Sequence, residues 1–231
     1  MRETFTTKAS IDQESGAILL EGCRLSYPHL TAPAAVKGQD GRPTGAYKYS
    51  ASFICNFDPE SKALITEFLN RAWKERLKVP EPIPGKSFIS NGNHKAQKEY
   101  HGFSVIAANE NADKRPEVYD RNGKLTEDPN ACYSGCIVNA IIRPWIQDNS
   151  WGKRVNAGLV GVQFVDDFER LGAPVIQASS LFKGVDRGAG YTSTPTPQGA
   201  VVGQDDGYFD EGASTASNPP ARSGADDDLP F

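Results

Sequence analysis

Residues 48–57 read KYSASFICNF, and residues 58–78 read DPESKALITEFLNRAWKERLK. The first stretch alternates with period two. Tyr49, Ala51, Phe53, Cys55 and Phe57 fall on one face, and Lys48, Ser50, Ser52 and Asn56 mostly on the other. That pattern specifies a half-buried β-strand with a polar outer face. The period then changes. Asp58 is an N-cap residue type, and Pro59 suits the first helical position, where its missing N–H leaves nothing unpaired. Leu64, Ile65, Phe68, Leu69, Ala72, Trp73 and Leu77 follow on one helical stripe, which reads as core packing. The prolines 80, 82 and 84 end the helix firmly.

Outward from this strand–helix unit the signals are mainly β. Ala17 to Leu25 (AILLEGCRL) is a strand, followed by a turn at Tyr27-Pro28. Phe103 to Ala108 (FSVIAA) is short and apolar. Cys136 to Trp145 (CIVNAIIRPW) alternates, with Val138, Ala140 and Ile142 inward and Ile137, Asn139, Ile141, Arg143 and Trp145 outward. Leu159 to Val165 is a further strand in which Gly161 permits a sharp bend or a close approach. Several strands, one prominent helix and long polar loops fit a mainly β protein: an OB-fold-like five-stranded barrel. Periodicity alone also allows a β-sandwich.

The pattern stops near residue 188. The folded domain is expected over residues 1–187. Residues 188–231, rich in Gly, Ser, Thr, Pro and Asp, are expected to form a disordered acidic tail, because they bury too little apolar area to offset ordering entropy. The 231-residue chain carries a net −4, but unevenly. The tail holds seven acidic residues against Arg222, or −6, which leaves +2 on the body. A basic body with an acidic tail suggests nucleic-acid binding with an intramolecular competitor. The chain ends in Asp226, Asp227, Asp228, Leu229, Pro230 and Phe231, an apolar tip on an anionic tether suited to basic, apolar pockets on other proteins.

Cys23, Cys55, Cys132 and Cys136 include no C-x-x-C pair, and His29, His94 and His101 are well separated. Buried, reduced thiols and no metal are the expectation. No apolar run reaches the ~18 residues of a membrane span, and MRETFTTKAS has no signal-peptide core, so a cytoplasmic protein is expected. No P-loop, nucleophile elbow or H-E-x-x-H helix is present, and no cofactor is called for.

Single-strand binding needs cations for phosphates and exposed aromatics for bases. Three groups interleave them: Lys95, Lys98, Tyr100 and His101; Arg115, Tyr119, Arg121 and Lys124; and Arg143, Trp145, Trp151, Lys153 and Arg154. The last, with two tryptophans and three cations in twelve residues at a strand end and hairpin, is the strongest. Lys48 and Ser50 face outward on their strand. Asp166, Asp167 and Glu169 offer a rival reading as a metal-dependent nuclease site, but an acidic hairpin turn is the better expectation, since no companion carboxylate or histidine motif lies nearby. A second rival is a protein-interaction adaptor.

RLSYPHL (24–30), KYSASFIC (48–55), CYSGCIVNA (132–140), GLVGVQFVDD (158–167) and the terminal DDDLPF resemble phage single-stranded DNA-binding proteins with an OB-fold core and an acidic C-terminal tail. The resemblance implies a non-enzymatic protein that coats DNA with little sequence preference. It implies roles in replication, recombination and repair, with partner proteins recruited through residues 226–231. Homo-oligomerisation is left open.

Overall fold

β1 (Lys8–Ile11) lies antiparallel on the start of β2 (Ile18–Lys37), which turns back into β3 (Pro43–Cys55). The helix α1 (Pro59–Arg71) follows, then the short β4 (Ile89–Asn91), β5 (Ser104–Asn111) and the short β6 (Glu117–Tyr119). A long hairpin of β7 (Ile137–Asn149) and β8 (Gly152–Asp166) completes the order. This is a computed structural model, and it describes residues 4–38 and 40–172. The acidic tail expected at 188–231 lies outside the described residues.

The eight strands of the described residues belong to one sheet, and five of them close on themselves. β2 pairs with β3, β3 with β5, β5 with β8, β8 with β7, and β7 returns to β2. Every seam is antiparallel except β5–β8, which meets in parallel at Asn109 and Gly158. A ring of five strands with a Greek-key crossover is the OB-fold arrangement and sets aside the two-sheet sandwich.

The period-two faces explain the closure. Phe53, Ile106, Val138, Ala140, Ile142, Ala157 and Leu159 point inward and are almost fully buried. Ile137, expected outside, is also buried, because a register irregularity separates it from Val138. β2 runs through Tyr27-Pro28 rather than turning there. Proline has no N–H for the ladder, so pairing lapses after Ser26 and resumes at His29 opposite Ser50. The result is a bulge, and Tyr27 adopts a left-handed φ of 46°.

The helix plugs the ring. The Asp58 side chain accepts the Ser61 N–H at 2.7 Å, and the Ser61 hydroxyl accepts the Ala9 N–H of β1 at 2.8 Å, which ties the helix start to the sheet. The last turn widens into a π turn over Ala72–Arg76, and Ile65, Leu69, Trp73 and Leu77 enter the core. The four cysteines are buried and unbridged, and burial raises the thiols of Cys23 and Cys55 well above their ordinary range. Gly161 lies where an added Cβ would sit 3.2 Å from the Glu117 carbonyl, so β6 can lie close against β8.

Candidate nucleic-acid interface

The described residues cover the outer face of β3 and β5 at one end only. Ile54 and Val105 are cross-strand partners on that face, and Tyr100 and Phe103 from the segment after β4 fold over them. Farther along, Ser52 pairs with Ala107, Ser50 with Asn109 and Lys48 with Asn111. Directly opposed residues share a face. Among the described residues this polar half floors a groove of about 640 Å³.

Each wall comes from a different element. Tyr27 and His29 project from the β2 bulge and Lys37 from the β2 end. Lys95 comes from the turn after β4, where its carbonyl lies 3.0 Å from His101 Nε2. Arg154 and Asn156 come from β8, and Asn156 Nδ2 donates to Gln147 Oε1 of β7 at 3.0 Å. Lys37, Lys48, Lys95 and Arg154 thus meet around the groove, and among the described residues no carboxylate lines it. A body of only +2 therefore presents a concentrated positive field here.

The face continues onto β7. Gln147 is opposite Arg154, Trp145 opposite Asn156, and Arg143 opposite Gly158. Trp145 and Arg143 are exposed and extend the groove face across the hairpin. Trp151 is exposed at the hairpin tip. In OB-folds this geography, the face of the second and third strands with the loops joining strands one to two and four to five, is where oligonucleotides bind.

The family model described as the ssDNA-binding protein of Enterobacter phage Enc34 matches residues 16–191. The chain belongs to this family. Among solved structures, the single-stranded DNA-binding protein from bacteriophage Enc34 in complex with ssDNA is 31% identical, with a TM-score of 0.57. That match covers 74% of this chain and 99% of the Enc34 chain. A second structure of the single-stranded DNA-binding protein from bacteriophage Enc34 is 28% identical with a TM-score of 0.55, covering 78% of this chain and 100% of the other. No curated protein matches the chain.

Within this Enc34-family fold the expected site residues separate. Lys48, Lys95 and Arg154 line the groove, and Arg143, Trp145 and Trp151 extend from it along the β7–β8 hairpin. Lys98 is exposed outside the groove lining. Tyr100 is a correction: it is only 4% exposed, and its hydroxyl is 2.9 Å from Ser26 Oγ. Its ring seals the covered end of the sheet, and burial raises its phenol above the ordinary value. Lys153 is a second correction. Alternation turns it away from Arg154, so its ammonium donates to the Leu77 carbonyl and pairs with Asp148 at 3.6 Å, holding the helix end against the hairpin.

The group at 115–124 lies apart from the groove, around β6. Arg115 faces Glu127 at 3.8 Å, the Tyr119 hydroxyl donates to Glu117 at 2.6 Å, and Arg121 pairs with Asp166 at 2.7 Å. Lys124 is exposed on the neighbouring turn. The three carboxylates of the nuclease reading do not converge. Asp166 holds Arg121, Asp167 accepts from the Tyr133 hydroxyl at 2.8 Å, and Glu169 lies 3.8 Å from buried Arg24. Tyr27, His29, Lys37, Asn109 and Asn156 are groove residues that sequence reasoning missed. The signal for Tyr27 and His29 lay in RLSYPHL, where the proline marked a bulge rather than a turn.

Proposed function

We propose that the chain binds single-stranded DNA along this groove with little sequence preference, and serves phage DNA replication, recombination and repair in the host cytoplasm. The observation that carries this reading is the meeting of four cations from separate segments, Lys37, Lys48, Lys95 and Arg154, around one groove on the sheet face. Cations supply a sequence-blind hold on phosphates, and exposed rings offer π-faces that any base can use. The Enc34 protein that shares the fold was captured with ssDNA. No described helix is long and apolar enough to cross a membrane. Titrating labelled oligo-dT and a duplex of equal length at two salt concentrations tests the reading. Single strands should bind more tightly, and duplex binding of equal strength refutes it.

Trp145 contributes a stacking face in this reading. Trp145→Ala should weaken oligo-dT binding by about 1–3 kcal/mol without altering the fold, because the residue is 42% exposed. Oligo-dT should quench tryptophan emission in the parent and less so in the variant. Equal quenching in both places the stacked base elsewhere.

The acidic tail recruits replication and recombination proteins in this reading, and it competes with DNA for the groove. Seven acidic residues against one basic residue stay near the cations at high effective concentration. Deleting residues 188–231 should raise DNA affinity, most at low salt where screening is weak. Deleting Phe231 alone should leave DNA affinity unchanged while abolishing partner capture. A long deletion that binds no better at low salt defeats the competition.

A further inference from the structure

Tyr27 combines two features that oppose each other unless the ring has a use outside the fold. Its backbone sits at φ 46°, a region that side chains other than glycine, Asn and Asp seldom occupy. The side chain that bears this strain is 50% exposed, so it returns little packing. The surroundings hold it there. The Tyr27 N–H donates to Ser134 Oγ at 3.2 Å, and on either side Leu25 and Pro28 fix the chain, Leu25 through the Gly135 N–H at 2.8 Å from its carbonyl. The hydroxyl reaches Glu99 at 3.5 Å, so the outer edge of the ring carries a carboxylate that repels phosphate. Tyr27 is one of the residues that line the groove. Backbone strain of this kind concentrates at binding sites.

We infer that Tyr27 is a base-stacking residue of the groove, held by the β2 bulge with its ring toward bases and its Glu99-bearing edge away from the phosphate path. The inference rests on the single-strand reading above. It separates the groove into a phosphate side at Lys48 and Arg154 and a base side at the bulge. The strand is then gripped at two places of different chemistry, one sensitive to salt and one not.

The full chain is titrated with labelled oligo-dT across a salt series, as parent, Tyr27→Phe, Tyr27→Gly, Tyr27→Asn and the double variant Lys48→Glu with Arg154→Glu. Tyr27→Phe should bind like the parent, since it keeps the ring. Tyr27→Gly should bind about 10-fold more weakly at every salt, with the slope of log affinity against log salt unchanged. Its melting temperature should not fall, because glycine relieves the left-handed φ. Tyr27→Asn, which also accepts that φ, should lose affinity to the same degree. Parent-like binding by the glycine and asparagine variants, with binding lost in the charge-reversed protein, overturns the inference and leaves the groove reading standing. An equal loss in Tyr27→Phe also overturns it, because the hydroxyl and not the ring is then what matters. Parent-like binding by the charge-reversed protein overturns the groove reading and the inference with it.

Discussion

Reversing Lys48 and Arg154 together, as Lys48→Glu with Arg154→Glu, is expected to weaken oligo-dT binding by roughly 100-fold near ~50 mM salt. The two cations stand on different ring strands, β3 and β8, and face one groove across β5. Each phosphate neutralised on a single strand releases about 0.7 of a counterion. At ~50 mM salt that is close to a tenfold contribution per contact, so losing two contacts approaches 100-fold before repulsion from the new carboxylates is counted. The salt slope should fall by about 1.4. Both side chains lie on the outer face of their strands, so the circular dichroism spectrum should match the parent. Anisotropy titration at three salt concentrations reads affinity and slope together. Unchanged affinity with an intact fold means that DNA follows another face.

The second large effect concerns what keeps the ring rigid behind that groove. Trp73→Ala is expected to cost about 3–5 kcal/mol of stability, the range for emptying a buried large aromatic site. Trp73 is fully buried where the π turn of the helix meets the core, in one cluster with Leu69, Leu77, Phe53 and Val155. A ring of strands cannot collapse into a hole of that size without breaking ladder bonds, so the cavity persists. For a unit of this size each kcal/mol shifts the melting point by about 2–4 °C, which predicts a drop near ~10–15 °C. The indole Nε1 finds no hydrogen-bond acceptor among the described residues. Trp73→Phe removes that orphan donor while keeping most of the apolar volume, and should cost far less than the alanine variant. Urea melts of the three proteins decide it. A Trp73→Ala protein within ~1 kcal/mol of the parent means the helix is an appendage and not the plug of the ring. The phenylalanine variant also leaves Trp145 and Trp151 as the fluorescent reporters on the groove side.

Local patterning settled much of this architecture. The alternation through 48–57, the Asp58-Pro59 helix start and the inward set Val138, Ala140 and Ile142 follow from side-chain period and capping chemistry, both of which act within a few residues. The same locality explains the failures. Lys153 and Arg154 are neighbours in sequence, and adjacent residues of a strand point to opposite faces, so one reaches a helix carbonyl 76 positions away and the other the groove. Tyr100 resembles an exposed loop aromatic until Ile54 and Val105 are seen beneath it. Arg121 resembles a phosphate ligand until β6 aligns beside β8 and brings Asp166 to it.

Sequence by itself determined the mainly β class, the helix, the inward faces of most strands, the charge asymmetry between residues 1–187 and 188–231, and the family resemblance. Each depends on periodicity, composition or a short motif. Only the tertiary structure decided which cations share a groove. Lys37, Lys48, Lys95 and Arg154 come from four separate segments, and their meeting depends on the β3–β5 and β5–β8 seams and on the β2 bulge. Strand register and ring closure are properties of long-range pairing, and a one-residue slip in either would have turned a different set of charges toward the groove.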